Sequence, residues 1–197
     1  MRVYVKYLNE TKLYKLNVND FNAIDNKDNI IFIECSYNKL TTIEGIDKCT
    51  NLQILYCDNN QLVSLKGINK LPNLQYLKCG YNQLTTLKGI DELIYLNVLY
   101  CHFNQLMTLE GIDKLTNLQF LYCMNNQITT LKGINKLHYL LYLYCNNNQL
   151  TILEVIDKLI YLRSLNCFNN KLTSLLKKNF RNLSIIVHCK KIELINY

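Results

Sequence analysis

Cysteine is the reactive residue that stands out in this chain, because eight of its nine copies recur at an interval of 22 residues. They are Cys35, Cys57, Cys79, Cys101, Cys123, Cys145, Cys167 and Cys189. A regular series of thiols could ligate a metal ion, form disulfides or provide a nucleophile. Each of these chemistries needs particular neighbours, so each can be tested against the surrounding sequence.

The sequence around the cysteines argues against a metal site and against disulfides. Structural zinc sites use ligand pairs two to four residues apart, and the chain contains no C-x-x-C. A disulfide between adjacent strands would need Cβ atoms turned toward each other, which parallel strands in register do not favour. Since free cysteine behaves as a small hydrophobe, we predict that the whole series is buried as free thiols, with no metal and no cofactor.

Catalysis is not expected either. The three histidines, His102, His138 and His188, fall in three different repeats. His102 directly follows Cys101, so in a strand the two side chains would point to opposite faces, out of hydrogen-bond reach. The sequence has no P-loop and no G-x-S-x-G motif. We therefore predict a protein that is not an enzyme and has no small-molecule substrate.

An asparagine lies three residues after seven of the eight periodic cysteines and keeps the same interval. This series comprises Asn38, Asn60, Asn82, Asn104, Asn126, Asn148 and Asn170. A fixed period of this length is the signature of a solenoid in which each unit buries its apolar side against its neighbours. Where the chain turns out of a strand, a side-chain amide can pair backbone groups that lack strand partners, so we predict a structural ladder of asparagines.

The repeating unit has a recognisable apolar frame. Residues 52–73 read LQILYCDNNQLVSLKGINKLPN, which fits the pattern L-x-x-L-x-[L/C]-x-x-N-x-L. The chain resembles the leucine-rich repeat family over roughly residues 18–194. It is most similar to short-repeat members such as internalins and the leucine-rich regulatory subunit of protein phosphatase 1. Similar proteins occur in giant viruses of amoebae, and the Asn-, Ile-, Lys- and Tyr-rich composition suits such a source.

The resemblance implies a right-handed horseshoe, an α/β solenoid that is mostly β, with about eight parallel strands on its concave side. Alternation within the unit places Leu55 and Cys57 on the buried face of a strand. The spacing of three between Leu65, Ile68 and Leu71 favours short 3₁₀ or irregular convex segments. We expect an N-terminal β-hairpin cap over residues 1–17, repeats over 18–183, and a final strand with a C-terminal cap over 184–197.

Aromatic residues occupy many of the outward positions of the predicted concave sheet. The candidate partner-binding residues are Tyr56, Tyr76, Tyr100, His102, Phe120, Tyr122, Tyr142 and Tyr144. Tyrosine is enriched at binding hot spots, and this favours a recognition surface. Aromatic residues on adjacent strands also stabilise a sheet by packing on one another, and this alternative stays open.

The predicted function is non-enzymatic binding of an unidentified protein or peptide on the aromatic concave face. A structural or self-associating array without a dedicated ligand is the first alternative, and weak nucleic-acid binding is the second. The net charge of +7 permits acidic partners, but Lys78 is nearly alone among the concave aromatics. With no secretory signal, no membrane-spanning stretch and an odd number of cysteines, we expect a cytoplasmic protein without membrane association.

Overall fold

A computed structural model describes residues 1–18, 20–153 and 156–172 of the chain. It also gives the backbone of three short strands, β10 (Leu175–Leu176), β11 (Ile186–His188) and β12 (Leu194–Ile195). Cys189 and most of the predicted C-terminal cap lie outside the described residues.

Nine further strands precede these three. They are β1 (Arg2–Tyr7), β2 (Tyr14–Asn17), β3 (Ile30–Glu34), β4 (Ile54–Tyr56), β5 (Tyr76–Lys78), β6 (Val98–Tyr100), β7 (Phe120–Tyr122), β8 (Tyr142–Tyr144) and β9 (Ser164–Asn166). The main sheet has ten strands in the order β11-β9-β8-β7-β6-β5-β4-β3-β1-β2, while β10 pairs with β12 separately. Strands β3 to β9 and β11 run parallel to one another, whereas β1 pairs antiparallel with β3. The predicted fold class is confirmed.

Equal coil length fixes the register of the parallel strands. Leu77 lies opposite Leu55 on one side and Leu99 on the other, each 22 residues away. The middle residue of each of these strands is buried, while the flanking residues face outward and are half-buried. A series of residues at one repeat position therefore becomes a straight column across the sheet.

Short 3₁₀ helices return the chain along the convex side, as the spacing of three predicts. Those of the regular coils are Ile46–Lys48, Ile68–Lys70, Ile90–Glu92, Ile112–Lys114, Ile134–Lys136 and Ile156–Lys158. The glycine before a convex helix is required by its backbone. Gly111, for example, has φ of +86°, and a Cβ there would lie 3.3 Å from the Asp91 Cβ. Among the described residues, no helix has the length and apolar character to cross a membrane.

A hairpin of β1 and β2 covers the first coil. Strand β1 pairs antiparallel with both β2 and β3. Its Val3 and Val5 side chains are fully buried against the core. The Arg2 backbone amide donates to Asn38 Oδ1 and the side-chain Nδ2 of Asn38 donates to the Arg2 carbonyl, both at 2.7 Å. The hairpin thus supplies the hydrogen bonds that a preceding coil would give.

Candidate functional site

The centre of the concave face carries two ladders of stacked rings. The Tyr100 and Tyr122 ring centroids are 4.2 Å apart, and those of Tyr122 and Tyr144 are 4.9 Å apart, with planes within 5° of parallel. In the neighbouring column, Phe120 stacks on Tyr142 at 5.0 Å. These spacings follow from parallel strands about 4.8 Å apart. The rings cover one another's faces and present their edges and hydroxyl groups outward.

Toward the N-terminal end the stacking becomes irregular around a lysine. Tyr56 lies 5.5 Å from Tyr76 at an angle of 60°, and Tyr76 lies 5.9 Å from Tyr100 at 25°. The Lys78 ammonium sits among these rings, 4.4 Å from the Tyr56 centroid, 5.5 Å from Tyr100 and 5.8 Å from Tyr76. All three distances are within the range of a cation–π interaction.

Four tyrosine hydroxyls of this face, those of Tyr56, Tyr76, Tyr100 and Tyr122, stay protonated at neutral pH. Burial raises the pKa of Tyr56, Tyr76 and Tyr100 above that of free tyrosine. Burial and the neighbouring Tyr100 hydroxyl raise the pKa of Tyr122 strongly. These groups therefore remain neutral hydrogen-bond donors and acceptors, which suits recognition of a polar partner surface.

His102 fills a gap that Gly80 leaves open. A Cβ at position 80 would lie 2.5 Å from the His102 Cε1. The imidazole makes edge contacts with Tyr81, Tyr100 and Phe103 at centroid distances of 5.2, 6.0 and 5.9 Å. Its Nδ1 is buried and has no hydrogen-bond partner among the described residues. Burial lowers the pKa of His102, so the ring is neutral at physiological pH.

A second aromatic group lies beside this face and was not in the predicted site. Tyr81 and Phe103 stack at 4.3 Å, and they are 45% and 41% exposed. Both have left-handed backbone, with φ of 49° and 50°, as does Tyr37 at 58°. At the same repeat position Asn125 and other asparagines adopt this conformation, which asparagine tolerates well and bulky residues do not. The sequence signal was an aromatic residue where most coils carry asparagine.

All eight predicted partner-binding residues lie on one continuous face and are half-buried. The structure brings Tyr100, Tyr122, Tyr144, Phe120 and Tyr142 into the two ring ladders, places Tyr56 and Tyr76 in the irregular stack beside them, and joins His102 to the ladders through Tyr100.

The asparagine series forms a ladder of hydrogen bonds along one edge of the sheet. Asn104 Nδ2 donates to the Cys79 and Cys101 carbonyls at 3.0 and 3.1 Å, and its Oδ1 accepts the Leu84 amide at 2.9 Å. The same pattern recurs at Asn60, Asn82, Asn126, Asn148 and Asn170. The side chains are committed to backbone groups, so they position the face rather than contact a partner.

The cysteine column is buried on the opposite side of the strands. The thiols of Cys35, Cys57 and Cys79 each donate to a backbone carbonyl of the next strand, as Cys79 Sγ does to the Tyr100 carbonyl at 3.3 Å. Burial raises the pKa of Cys123 to about 12, so its thiol stays protonated and unreactive. Free buried cysteines are Cys35, Cys49, Cys57, Cys79, Cys101, Cys123 and Cys145.

The prediction of a free thiol is wrong at Cys167, which is disulfide-bonded. The argument from parallel register assumed a regular coil on both sides of each cysteine, and Cys167 belongs to the last coil within the described residues.

Among residues 1–18, 20–153 and 156–172, no group of three or more His, Cys, Asp and Glu side chains could hold a metal ion.

A depression of about 540 Å³ lies at another edge of the sheet, lined by Asn73, Gln75, Tyr95, Asn97 and Asn117. Two of its asparagine amides donate to backbone carbonyls of the preceding coil, Asn73 to Thr50 at 3.0 Å and Asn117 to Ile94 at 2.8 Å. They form a second, shorter asparagine series that links neighbouring coils by hydrogen bonds. Two of the five residues that line the depression are therefore committed to backbone groups.

Comparison with known proteins identifies a family. The family model described as Leucine Rich repeats (2 copies) matches residues 28–70, 50–95, 95–136 and 116–158, and the model Leucine Rich Repeat matches residues 161–183. No curated protein sequence matches the chain.

Three solved structures show the same fold. A leucine-rich repeat protein of Leptospira interrogans is 34% identical with a TM-score of 0.73, over 79% of this chain and 42% of its own. An internalin (inlF) of Listeria monocytogenes is 24% identical with a TM-score of 0.71, over 80% and 48%. The functional domain of InlJ from the same bacterium, described as including a cysteine ladder, is 23% identical with a TM-score of 0.51, over 86% and 51%. This chain thus spans less than half the length of the first two.

Proposed function

Since the chain belongs to the leucine-rich repeat family, we propose that it is a non-enzymatic module that binds a protein or peptide on the concave face of its sheet. Proteins of this family are generally protein–protein interaction modules. The observation that carries the proposal is the pair of ring ladders, Tyr100–Tyr122–Tyr144 and Phe120–Tyr142, half-buried at the centre of that face.

Stacked tyrosines suit recognition for an energetic reason. A free tyrosine loses rotational freedom when a partner immobilises it, whereas rings already fixed by their neighbours have little left to lose. The outward edges combine apolar carbon with protonated hydroxyls, so one surface can bury area and also form hydrogen bonds. Tyrosine is accordingly among the residues that dominate binding free energy at interfaces.

The rival proposal is a structural array with no dedicated ligand, and one observation favours it. The ring faces are already covered by other rings, so the ladders stabilise the sheet whether or not a partner binds. Nucleic acid is a poorer candidate because the described part of the face, β3 to β9, carries no basic stripe. Lys78 lies among its rings, with the carboxylates of Glu34 and Asp58 on nearby rows.

The experiment compares two triple variants of the full chain. Tyr100→Ala, Tyr122→Ala and Tyr144→Ala remove one concave ladder. The matched control, Tyr95→Ala, Tyr139→Ala and Tyr161→Ala, removes three exposed tyrosines elsewhere. Partners captured from native cells with the wild-type chain are purified and titrated by calorimetry. The concave triple should weaken binding by about 100-fold or more and the control by less than about threefold.

Equal affinity of the two triple variants would refute the concave-face proposal. Light scattering over a range of concentrations addresses the rival. A mass that rises with concentration in the wild type but not in the concave triple would indicate self-association through the rings. A constant monomer mass together with tyrosine-dependent binding would support recognition of another protein.

A further inference from the structure

Lys78 interrupts a column of tyrosines. The corresponding outward position is Tyr56 on the preceding strand and Tyr100 on the following one, and Tyr122 and Tyr144 continue the column. If this column served sheet packing alone, a tyrosine at position 78 would continue the stack at the spacing seen between Tyr100 and Tyr122. The lysine instead places a cation where the ladder would otherwise be uninterrupted.

Three aromatic rings position this cation without using its hydrogen-bonding capacity. The Nζ lies within 6 Å of the Tyr56, Tyr76 and Tyr100 centroids, at 4.4, 5.8 and 5.5 Å. Ring faces attract an ammonium group electrostatically, but they do not replace the three strong acceptors that its N–H groups can bind. Within the described part of the chain, Lys78 forms no ion pair and no hydrogen bond through Nζ.

Two carboxylates lie on this face toward its N-terminal end, Glu34 at the end of β3 and Asp58 just after β4. Each accepts hydrogen bonds from neutral donors. Glu34 Oε1 accepts the Ser36 amide at 2.8 Å. Asp58 accepts the Ser36 hydroxyl at 3.1 Å and the Asn59 side-chain amide at 2.8 Å. These bonds leave the two negative charges on the face but do not join them to Lys78. The face therefore combines one cation that has no ion pair with two anions on its N-terminal side.

We propose that the Lys78 ammonium is the anchor for a single carboxylate, an Asp or Glu side chain of a bound protein segment. The inference rests on the proposed function and names one chemical requirement of the partner. A charge-assisted hydrogen bond to an ammonium held among rings is stronger than one in open water, because fewer waters compete for it.

The charges of the face favour one carboxylate over a phosphate backbone. A nucleic acid carries a negative charge at every nucleotide, so phosphates flanking one bound at Lys78 would approach Glu34 and Asp58. A peptide can place a single acid at Lys78 and neutral or basic residues on the rows beside it. Like charges brought together weaken binding, so this pattern discriminates between the two partners.

The test uses a displayed library of random 12-residue peptides selected on the full wild-type chain. Individual peptides are then titrated against Lys78→Tyr, which restores the tyrosine column, and Lys78→Arg, which keeps the charge. The control is Lys66→Tyr, on the exposed convex side. We expect selected peptides to share an acidic residue, to lose about tenfold in affinity or more against Lys78→Tyr, and to change little against Lys78→Arg and Lys66→Tyr.

A paired substitution identifies the contact. Replacing the shared acid of the peptide with its amide should weaken binding to the wild type about tenfold and leave binding to Lys78→Tyr unchanged. The inference would be overturned, and the proposed function left standing, by peptides that bind Tyr122→Ala more weakly but bind Lys78→Tyr as tightly as the wild type. Failure to select any peptide that needs Tyr122 would count against both. Tight binding of a 12-nucleotide oligo-dT that depends on Lys78 would show that the ligand of Lys78 is a phosphate and would overturn the assignment of a carboxylate.

Discussion

Replacing Asn104 with alanine tests how the asparagine ladder holds neighbouring coils together. The Asn104 side chain accepts the Leu84 amide at 2.9 Å and donates to the Cys79 and Cys101 carbonyls at 3.0 and 3.1 Å. The two carbonyls keep a second donor in the variant, because Asn82 also reaches Cys79 and Asn126 also reaches Cys101. The Leu84 amide keeps none, so the main loss is one buried, unpaired N–H group.

The magnitude follows from that single group. A buried donor without an acceptor costs about 1–3 kcal/mol, so Asn104→Ala should lower the free energy of unfolding by that amount. In a chain of this size each kcal/mol corresponds to a shift in Tm of about 2–4 °C. Urea unfolding followed by circular dichroism measures the total. Hydrogen exchange should show faster exchange at the Leu84 amide and no change at Leu106, whose acceptor is Asn126.

Asn69→Ala is the matched control, since Asn69 is exposed on the convex side, and it should change stability by less than about 0.5 kcal/mol. If Asn104→Ala were equally mild, with Leu84 still protected from exchange, the assignment of the ladder as the link between coils would be wrong. A global loss with no selective change at Leu84 would also contradict it, because the argument places the cost on that amide.

Three further predictions follow from the backbone and the buried thiols. Tyr37→Asn should raise the free energy of unfolding by about 1 kcal/mol, because Tyr37 is 79% exposed and has left-handed backbone at φ 58°; an unchanged urea midpoint would refute this. Gly80→Ala should destabilise the fold, since its Cβ would lie 2.5 Å from His102 Cε1, and adding His102→Ala should recover most of the loss; equal losses would disprove the clash. Cys123, with its pKa raised to about 12 by burial, should resist maleimide at pH 8 until the protein unfolds, and rapid labelling of the native protein, read by peptide mass spectrometry, would argue otherwise.

Much of the fold could be predicted because the repeat interval determines the register. Once coils of 22 residues are stacked, each position becomes a column, and alternation within a strand assigns the column to one face. Leu99 and Cys101 are fully buried and Tyr100 between them is half-buried, as this reasoning requires. The outward candidates therefore lie on the expected face, although the sequence alone does not say what binds there.

The features that were missed depend on side-chain conformation or on local backbone. Tyr81 and Phe103 belong to the aromatic surface because the chain turns through left-handed backbone after each strand, and this brings their rings together at 4.3 Å. The position of Lys78 in its column was evident, but its place among three rings depends on how its flexible side chain packs. The thiol prediction was wrong at Cys167 because periodicity describes the regular coils better than the end of the array.

The contrast between inner and outer columns explains how one face can acquire a specific chemistry. An inner residue such as Asn104 bonds to the coil before it, so changing it leaves the Leu84 amide of that coil unpaired. An outer ring such as Tyr122 instead contacts its neighbours by stacking on Tyr100 and Tyr144. Lys78 replaces a tyrosine in this way while Leu77 and Cys79 on either side of it stay fully buried. The frame therefore tolerates changes of charge and shape at one strand of the concave face without changes at the next, and the proposed partner would be recognised through the strands that differ.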